Sequence, residues 1–360
     1  MRSSRTSVGR TARTASCVGL AAALWAAALA AQPTGQERAE AAGRGLVGSP
    51  APALVVRTIE GKSIDLGALY GKQAVYLKFW ATWCGPCRAQ MPHFEHAYET
   101  AGDGIAVIGV DTGFNDSLAD VRAAIGELGL EMPTVIDDGR LAAAFNLRVT
   151  PQHVVIGRDG RIAYVGHLAD EKLDAALRAA QSTAGRADSG AGAGAPGVIV
   201  RYGLGDRLPD FVAPTLDGSR VRLRDASDGR PTVLVFMSPW CETYYATPRP
   251  SLSLPGRPAL ATSCREVREQ VTSLAHRGAG VRWLGVASGL WSTPEELREY
   301  ETQHAQGIPL TMDESGEWFR AFDVTRVPTI LIADASGKIV RRVEGFDEGL
   351  ESEIARVRSR

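Results

Sequence analysis

The chain repeats itself at a fixed distance, and that repeat limits its fold more than any other feature. Pro52 and Pro209 are 157 positions apart, as are Gly61 and Gly218, Trp83 and Trp240, and Cys84 and Cys241. Beyond that point the distance is 177 for Cys87 and Cys264, Phe145 and Phe322, Pro151 and Pro328, and Gly160 and Gly337; between these, Gly109 and Gly285 are 176 apart. Such a chain folds as one pattern used twice, and 360 residues are enough to give each copy its own core. The jump of 20 falls between the two cysteines of the second copy. Two residues separate Cys84 from Cys87, and 22 separate Cys241 from Cys264. The second pair therefore reads as the first pulled apart by an insertion, residues 242–263.

Within each copy, strands alternate with helices. "AVYLKFW" (Ala74 to Trp80) is an apolar, β-rich run, and Thr232 to Met237 is its counterpart. A helix is expected from about Cys87 to Thr100. "IAVIGV" (Ile105 to Val110) and Val281 to Val286 are second buried strands. Thr293-Pro294-Glu295-Glu296 has the cap, first-turn proline and acidic start of a helix. "TPQHVVIGRDGRIAYVG" and "VPTILIADASGKIVRRVEG" read as hairpins about Asp-Gly and Ser-Gly turns. The expected class is α/β, with a central mixed β-sheet flanked by helices in each half.

The ends and joints have their own composition. Arg2, Arg5, Arg10 and Arg13 precede an apolar run from Val18 to Ala31, and Ala28-Leu29-Ala30 fits a small-x-small cleavage site. Residues 1–31 thus read as a signal peptide, so the chain is expected to be exported, to a periplasm-like compartment. The apolar run of about 14 residues is short against the roughly 20 of a membrane span; left uncleaved, it would act as a membrane tether. Residues 32–45 read as a tether, 46–180 as the first domain, 181–197 ("AQSTAGRADSGAGAGAP" and its surroundings) as a flexible linker, and 198–360 as the second domain. A net charge of −1 and a pI of 6.6, with no basic stripe, argue against a nucleic-acid partner.

Export leaves four cysteines, and in an oxidising compartment paired cysteines are structural disulfides or redox centres. Cys84 and Cys87 follow a buried strand and open a helix. Unpaired N–H groups there stabilise a thiolate, so Cys84 is the expected nucleophile. It would attack a disulfide, and Cys87, one turn on, would resolve the mixed disulfide. Pro86 sets the turn into the helix. A zinc site would need two further ligands; His93 and His96 are near but crowded on a continuing helix. A purely structural bridge is the other alternative.

"FWATWCGPC", followed by "VTPQHVVIGRDGRIAYVGH", resembles the thioredoxin superfamily, in particular the exported TlpA/ResA-like thiol–disulfide oxidoreductases. The resemblance spans both halves and implies two tandem thioredoxin-like folds; "GSPAPAL" and "EGKSIDLGALYGK" match the family's extra N-terminal hairpin. It implies that Cys84 attacks, Cys87 resolves, Trp83 is the tryptophan before the active cysteine, and Pro151 is a cis-proline shaping the substrate groove. His153, close behind, would line that groove or serve the strand. One departure is Lys78, six residues before Cys84, where thioredoxins carry aspartate. Buried, it would lose its proton or favour the Cys84 thiolate; otherwise it would snorkel to the surface. The Gly85-Pro86 dipeptide resembles reducing members of the superfamily, near about −270 mV, more than oxidants near about −120 mV. The implied partners are disulfide-containing client proteins and a membrane thiol electron donor, with no cofactor beyond the redox-active disulfide. Cytochrome c maturation, copper-site assembly and general disulfide repair all stay open as client classes.

In the second half the resemblance implies that Cys241 and Cys264 hold the attacking and resolving positions, with Pro328 as cis-proline. Pro248, Pro250, Pro255 and Pro258 predict an insertion without helix, an ordered loop or flap in which Tyr244 and Tyr245 pack. Three roles compete for the pair: a stable disulfide worth ~3 kcal/mol, a second redox couple, or a site for a soft ion such as Cu(I). The rival class for the whole chain is a copper-handling or client-binding module for metalloprotein assembly. A peroxiredoxin-like peroxidase fits less well, because Leu234 stands where such sites carry proline, although Ser238 could replace their threonine. Trp283, Trp291 and Trp318 read as core or loop residues.

Overall fold

The computed structural model describes residues 32–184, 200–224, 228–246, 257–277, 280–304 and 307–359. The expected leader, most of the linker and the middle of the insertion, with Pro248, Pro250 and Pro255, lie outside the described residues. Among the described residues no helix is long and apolar enough to cross a membrane.

In the first half the elements are α1 (Gly35–Gly43), β1 (Val55–Arg57), β2 (Ser63–Asp65), α2 (Leu66–Leu69), β3 (Ala74–Trp80), α3 (Gly85–Ala89), α4 (Met91–Glu99) and β4 (Ile105–Asp111). Then come α5 (Leu118–Leu128), β5 (Thr134–Ile136), α6 (Arg140–Ala144), β6 (Gln152–Ile156), β7 (Ile162–Gly166) and α7 (Glu171–Ser182). The five-stranded sheet has the order β5-β4-β3-β6-β7; β3, β4 and β5 are parallel, and β6 and β7 are antiparallel to their neighbours. β1 and β2 form the separate hairpin.

The second half repeats this order with β8 (Val212–Pro214), β9 (Arg220–Arg222), β10 (Thr232–Met237), α8 (Trp240–Ala246), α9 (Arg257–Arg277) and β11 (Arg282–Ser288). It closes with α10 (Pro294–His304), β12 (Leu310–Asp313), α11 (Glu317–Ala321), β13 (Thr329–Ala333), β14 (Ile339–Glu344) and α12 (Leu350–Arg358). Its sheet, β12-β11-β10-β13-β14, has the same strand order and directions. The molecule thus carries two tandem thioredoxin-like folds.

All seven residues of β3 are buried, as befits a central strand covered on both faces. Its side chains alternate: Val75, Leu77 and Phe79 enter one apolar layer, and Ala74, Tyr76 and Trp80 enter the other. Lys78 shares the second face, beneath α3 and α4. Local caps set the helix starts. Ser117 and Asp120 form a capping box at α5, and Asp170 accepts from Lys172 N–H and Leu173 N–H at α7.

Three expectations change. Residues 32–45 are not merely a tether: Thr34 and Glu37 form a capping box for α1, whose Ala39 and Ala42 are buried. Small residues on one face let this helix lie close to the sheet. The helix expected over 87–100 is divided at Gln90, because Pro92 has no N–H for the Arg88 carbonyl. The insertion is not free of helix. α8 carries Cys241 in its first turn, and α9 starts at Arg257, well before Cys264. Pro258 sits at the start of α9, where no helical carbonyl needs its missing N–H.

Candidate active site

Cys84 is the N-cap of α3, and its Sγ accepts from the Cys87 N–H at 3.2 Å. The two cysteines are disulfide-bonded, with Cα atoms 5.2 Å apart. Pro86 occupies the first turn and is exposed, whereas Cys84 is 2% exposed and Cys87 is fully buried. The strand-to-helix turn is held from below: Asp116 accepts from Thr82 N–H at 2.9 Å and also from the Thr82 hydroxyl.

Lys78 does not snorkel. It is 0% exposed, and its Nζ donates to the Cys87 carbonyl at 3.3 Å while lying 5.3 Å from the Phe94 ring centroid. Burial without a carboxylate partner among the described residues pushes its pKa down to about 7. Near neutral pH this amine therefore exchanges a proton directly beneath the helix that bears the cysteines.

The Thr150–Pro151 bond is cis, and the Pro151 carbonyl accepts from His167 Nδ1 at 2.7 Å. His153 is a strand residue in β6, wholly buried opposite Lys78 in the sheet. Its Nε2 lies 2.8 Å from Gln90 Oε1, which can only accept, so Nδ1 accepts from the Tyr76 hydroxyl at 2.8 Å. Burial holds its pKa well below the ordinary value, so it is a neutral brace between β3, β6 and the α3–α4 junction. His93 pairs with Asp174, and among the described residues no cluster is suited to a metal ion.

In the second domain Cys241 and Cys264 are disulfide-bonded, joining α8 to α9 with Cα atoms 6.2 Å apart. The Val327–Pro328 bond is cis. Glu242, next to Cys241, pairs with Arg268 at 2.7 Å and accepts from the Tyr300 hydroxyl at 3.3 Å.

The two domains meet through equivalent residues. Trp83 and Trp240 stack with centroids 5.2 Å apart and planes 20° from parallel. The Trp83 indole N–H donates to the Phe114 carbonyl at 2.8 Å, and that of Trp240 to the Leu290 carbonyl at 3.1 Å; Phe114 and Leu290 are 176 apart. One residue on, the Asn115 N–H donates to the Thr325 carbonyl at 2.7 Å, and the Trp291 N–H to the Arg148 carbonyl at 2.9 Å. Each acceptor lies three residues before a cis-proline. Asn115 and Trp291 both have positive φ, 56° and 61°. The contact is thus a pseudo-twofold built on the sequence repeat. Bonds without a counterpart break the symmetry, among them Val327 N–H to Asn115 Oδ1 at 3.1 Å, Gly85 N–H to the Tyr244 hydroxyl at 3.2 Å, and Arg148 Nη1 to the Glu314 carbonyl at 2.7 Å.

Five of the sequence-derived site residues share one core. Trp83, Cys84, Cys87, Cys241 and Cys264 belong to one buried cluster that runs through both domains. Sequence reasoning missed Phe114 and Asn115, placed Tyr244 only within a loop or flap, and left Trp291 as core or loop. For Phe114, Asn115 and Trp291 the signal available was position in the repeat, not residue type; Tyr244, in the insertion, has no counterpart.

A redoxin family model matches residues 46–180 and 204–357. Thiol-disulfide oxidoreductase ResA of Bacillus thuringiensis (strain Al Hakam) is 32% identical over 136 residues, 37% of this chain and 77% of that protein. The ResA of Halalkalibacterium halodurans is 37% identical over 120 residues, 33% of this chain and 66% of that protein. Among solved structures, a thiol:disulfide interchange protein of the thioredoxin family from Chlorobium tepidum TLS is 27% identical, with a TM-score of 0.34, over 37% of this chain and 96% of that one.

Proposed function

Because this chain belongs to the redoxin family, we propose that it is an exported thiol–disulfide oxidoreductase whose first domain reduces protein disulfides. The observation that carries the reading is Cys84 at the N-cap of α3, bonded to Cys87 and receiving the Cys87 N–H. In the reduced protein that N–H favours a thiolate on Cys84. The thiolate attacks one sulfur of a client disulfide, and the other client sulfur leaves as a thiolate. Cys87 then attacks Cys84 Sγ, closes the Cys84–Cys87 disulfide and releases the reduced client. Lys78, beneath α3, is placed to balance charge as the thiols lose and regain protons.

The reducing direction rests on Gly85-Pro86, and export on the composition of residues 1–31. The clients are disulfide-bearing proteins, and a membrane thiol carrier is the proposed source of electrons. The redox-active disulfide is the only redox group this chemistry requires.

The test is insulin reduction together with a potential measured in glutathione buffers. Cys84→Ser should abolish turnover, and Cys87→Ser should accumulate a mixed disulfide with the client. A potential near about −270 mV supports the reducing direction; one near about −120 mV overturns it in favour of oxidation.

A further inference from the structure

We infer that the second domain is the first domain's resident exchange partner, the Cys84–Cys87 and Cys241–Cys264 pairs passing two electrons to each other across the contact between domains. The inference rests on the exchange reading of Cys84–Cys87 and adds a second, intramolecular activity to it.

Three observations carry it. First, the first cysteine of each pair is buried, Cys84 at 2% exposed and Cys241 at 1%. Both belong to one buried cluster that runs through both domains. Second, the contact is centred on the residues next to the nucleophilic positions. Trp83 stacks on Trp240, and each directly precedes its domain's first cysteine. Cys84 and Cys241 are equivalent positions of the repeat, each one residue along the chain from the stack. Third, the bonds around the stack tie the cysteine-bearing turns to the opposing domain. Gly85 N–H, adjacent to Cys84, reaches Tyr244 on α8, and Asn115 holds the backbone that leads to Pro328. All four cysteines lie in one apolar cluster.

The step balances within the chain. With the first pair reduced, the Cys84 thiolate attacks Cys241 Sγ; the Cys84–Cys241 bond forms, the Cys241–Cys264 bond breaks, and Cys264 leaves as a thiolate. Cys87 then attacks Cys84 Sγ, forming Cys84–Cys87 and releasing the Cys241 thiolate. One pair is oxidised, the other reduced, and two protons follow the electrons.

The test uses the full chain carrying Cys17→Ser, Cys87→Ser and Cys264→Ser, with oxidised glutathione as the oxidant. Peptide mapping should find an intrachain Cys84–Cys241 disulfide in a yield independent of protein concentration. Adding Trp240→Ala should lower that yield about fivefold by removing the stack. If Cys84 and Cys241 each end as glutathione adducts with no intrachain link, while the wild-type chain still reduces insulin, the relay is overturned and the exchange reading stands. A wild-type chain that reduces no disulfide overturns both. As a check free of cysteine substitutions, the reduced wild-type chain receives one equivalent of oxidised glutathione. Transfer of the oxidising equivalent between the two pairs, at a rate independent of protein concentration, supports the relay; an equivalent that stays on the pair that first received it overturns it.

Discussion

Trp83 and Trp240 stand in the same position of two copies of one fold, each just ahead of a cysteine, and their rings stack 5.2 Å apart. The stack turns a repeat along the chain into a symmetry in space. Cys84, one residue on, is 2% exposed, and the Gly85 N–H beside it donates to the Tyr244 hydroxyl of the second domain.

Truncating one ring should open access to the Cys84 sulfur. With the protein reduced, iodoacetamide should alkylate Cys84 about fivefold faster or more in Trp240→Ala than in the wild type, as expected for losing one buried aromatic pair at the contact. Mass spectrometry of the Cys84 peptide over time measures this. Equal rates would mean that Trp240 does not control exposure of the sulfur.

Lys78 predicts a pH dependence of stability with a definite sign. Its folded pKa, lowered to about 7, lies below the ordinary 10.5, so between these values the unfolded chain binds the extra proton. Unfolding free energy should therefore rise with pH across that window, by up to ~1.4 kcal/mol per pH unit. Lys78→Met should remove the slope and be the more stable protein below pH 7. Urea titrations of the oxidised protein at pH 6.5, 7.5 and 8.5 decide this, and parallel slopes in the two proteins would reject it.

Asn115 performs two tasks that two substitutions separate. Asn115→Gly keeps the positive φ but leaves the buried Val327 N–H without its Oδ1 acceptor, a loss of ~1–3 kcal/mol. Asn115→Ala adds the cost of a left-handed backbone for a residue with a Cβ, roughly 1 kcal/mol more. Hydrogen exchange at the Val327 amide should quicken in both, and more in the alanine variant. Unchanged exchange would show that the Asn115 amide is not what holds that strand entrance.

The second disulfide closes a loop with its cysteines 23 positions apart. Cys241→Ala with Cys264→Ala should lower unfolding free energy by ~3 kcal/mol on the chain-entropy argument. Chemical denaturation of the oxidised proteins measures the difference. A change within experimental error would argue that the bridge contributes nothing to the fold.

Much of the molecule is legible in the sequence alone. The 157-position offset announced two copies, the continuous apolar run Ala74–Trp80 announced a central strand, and "WCGPC" at a strand-to-helix turn announced the chemistry. These are local signals: periodicity, caps and turn residues act within a few positions, so the chain states them openly. The fate of Lys78 was not legible, because burial or snorkelling depends on what covers the strand, and Phe94, α3 and β6 arrive from elsewhere. Nor was α8 or the early start of α9, where prolines that forbid a helix interior are harmless in its first turn. The contact between domains was the least legible. Asn115 meets Val327 across 212 positions, and no local pattern marks either residue for the other. Only when both copies are folded do Trp83, Asn115, Trp240 and Trp291 come to the same place. Their pairing is a property of two assembled surfaces, whereas the identity of each surface was already written in the repeat.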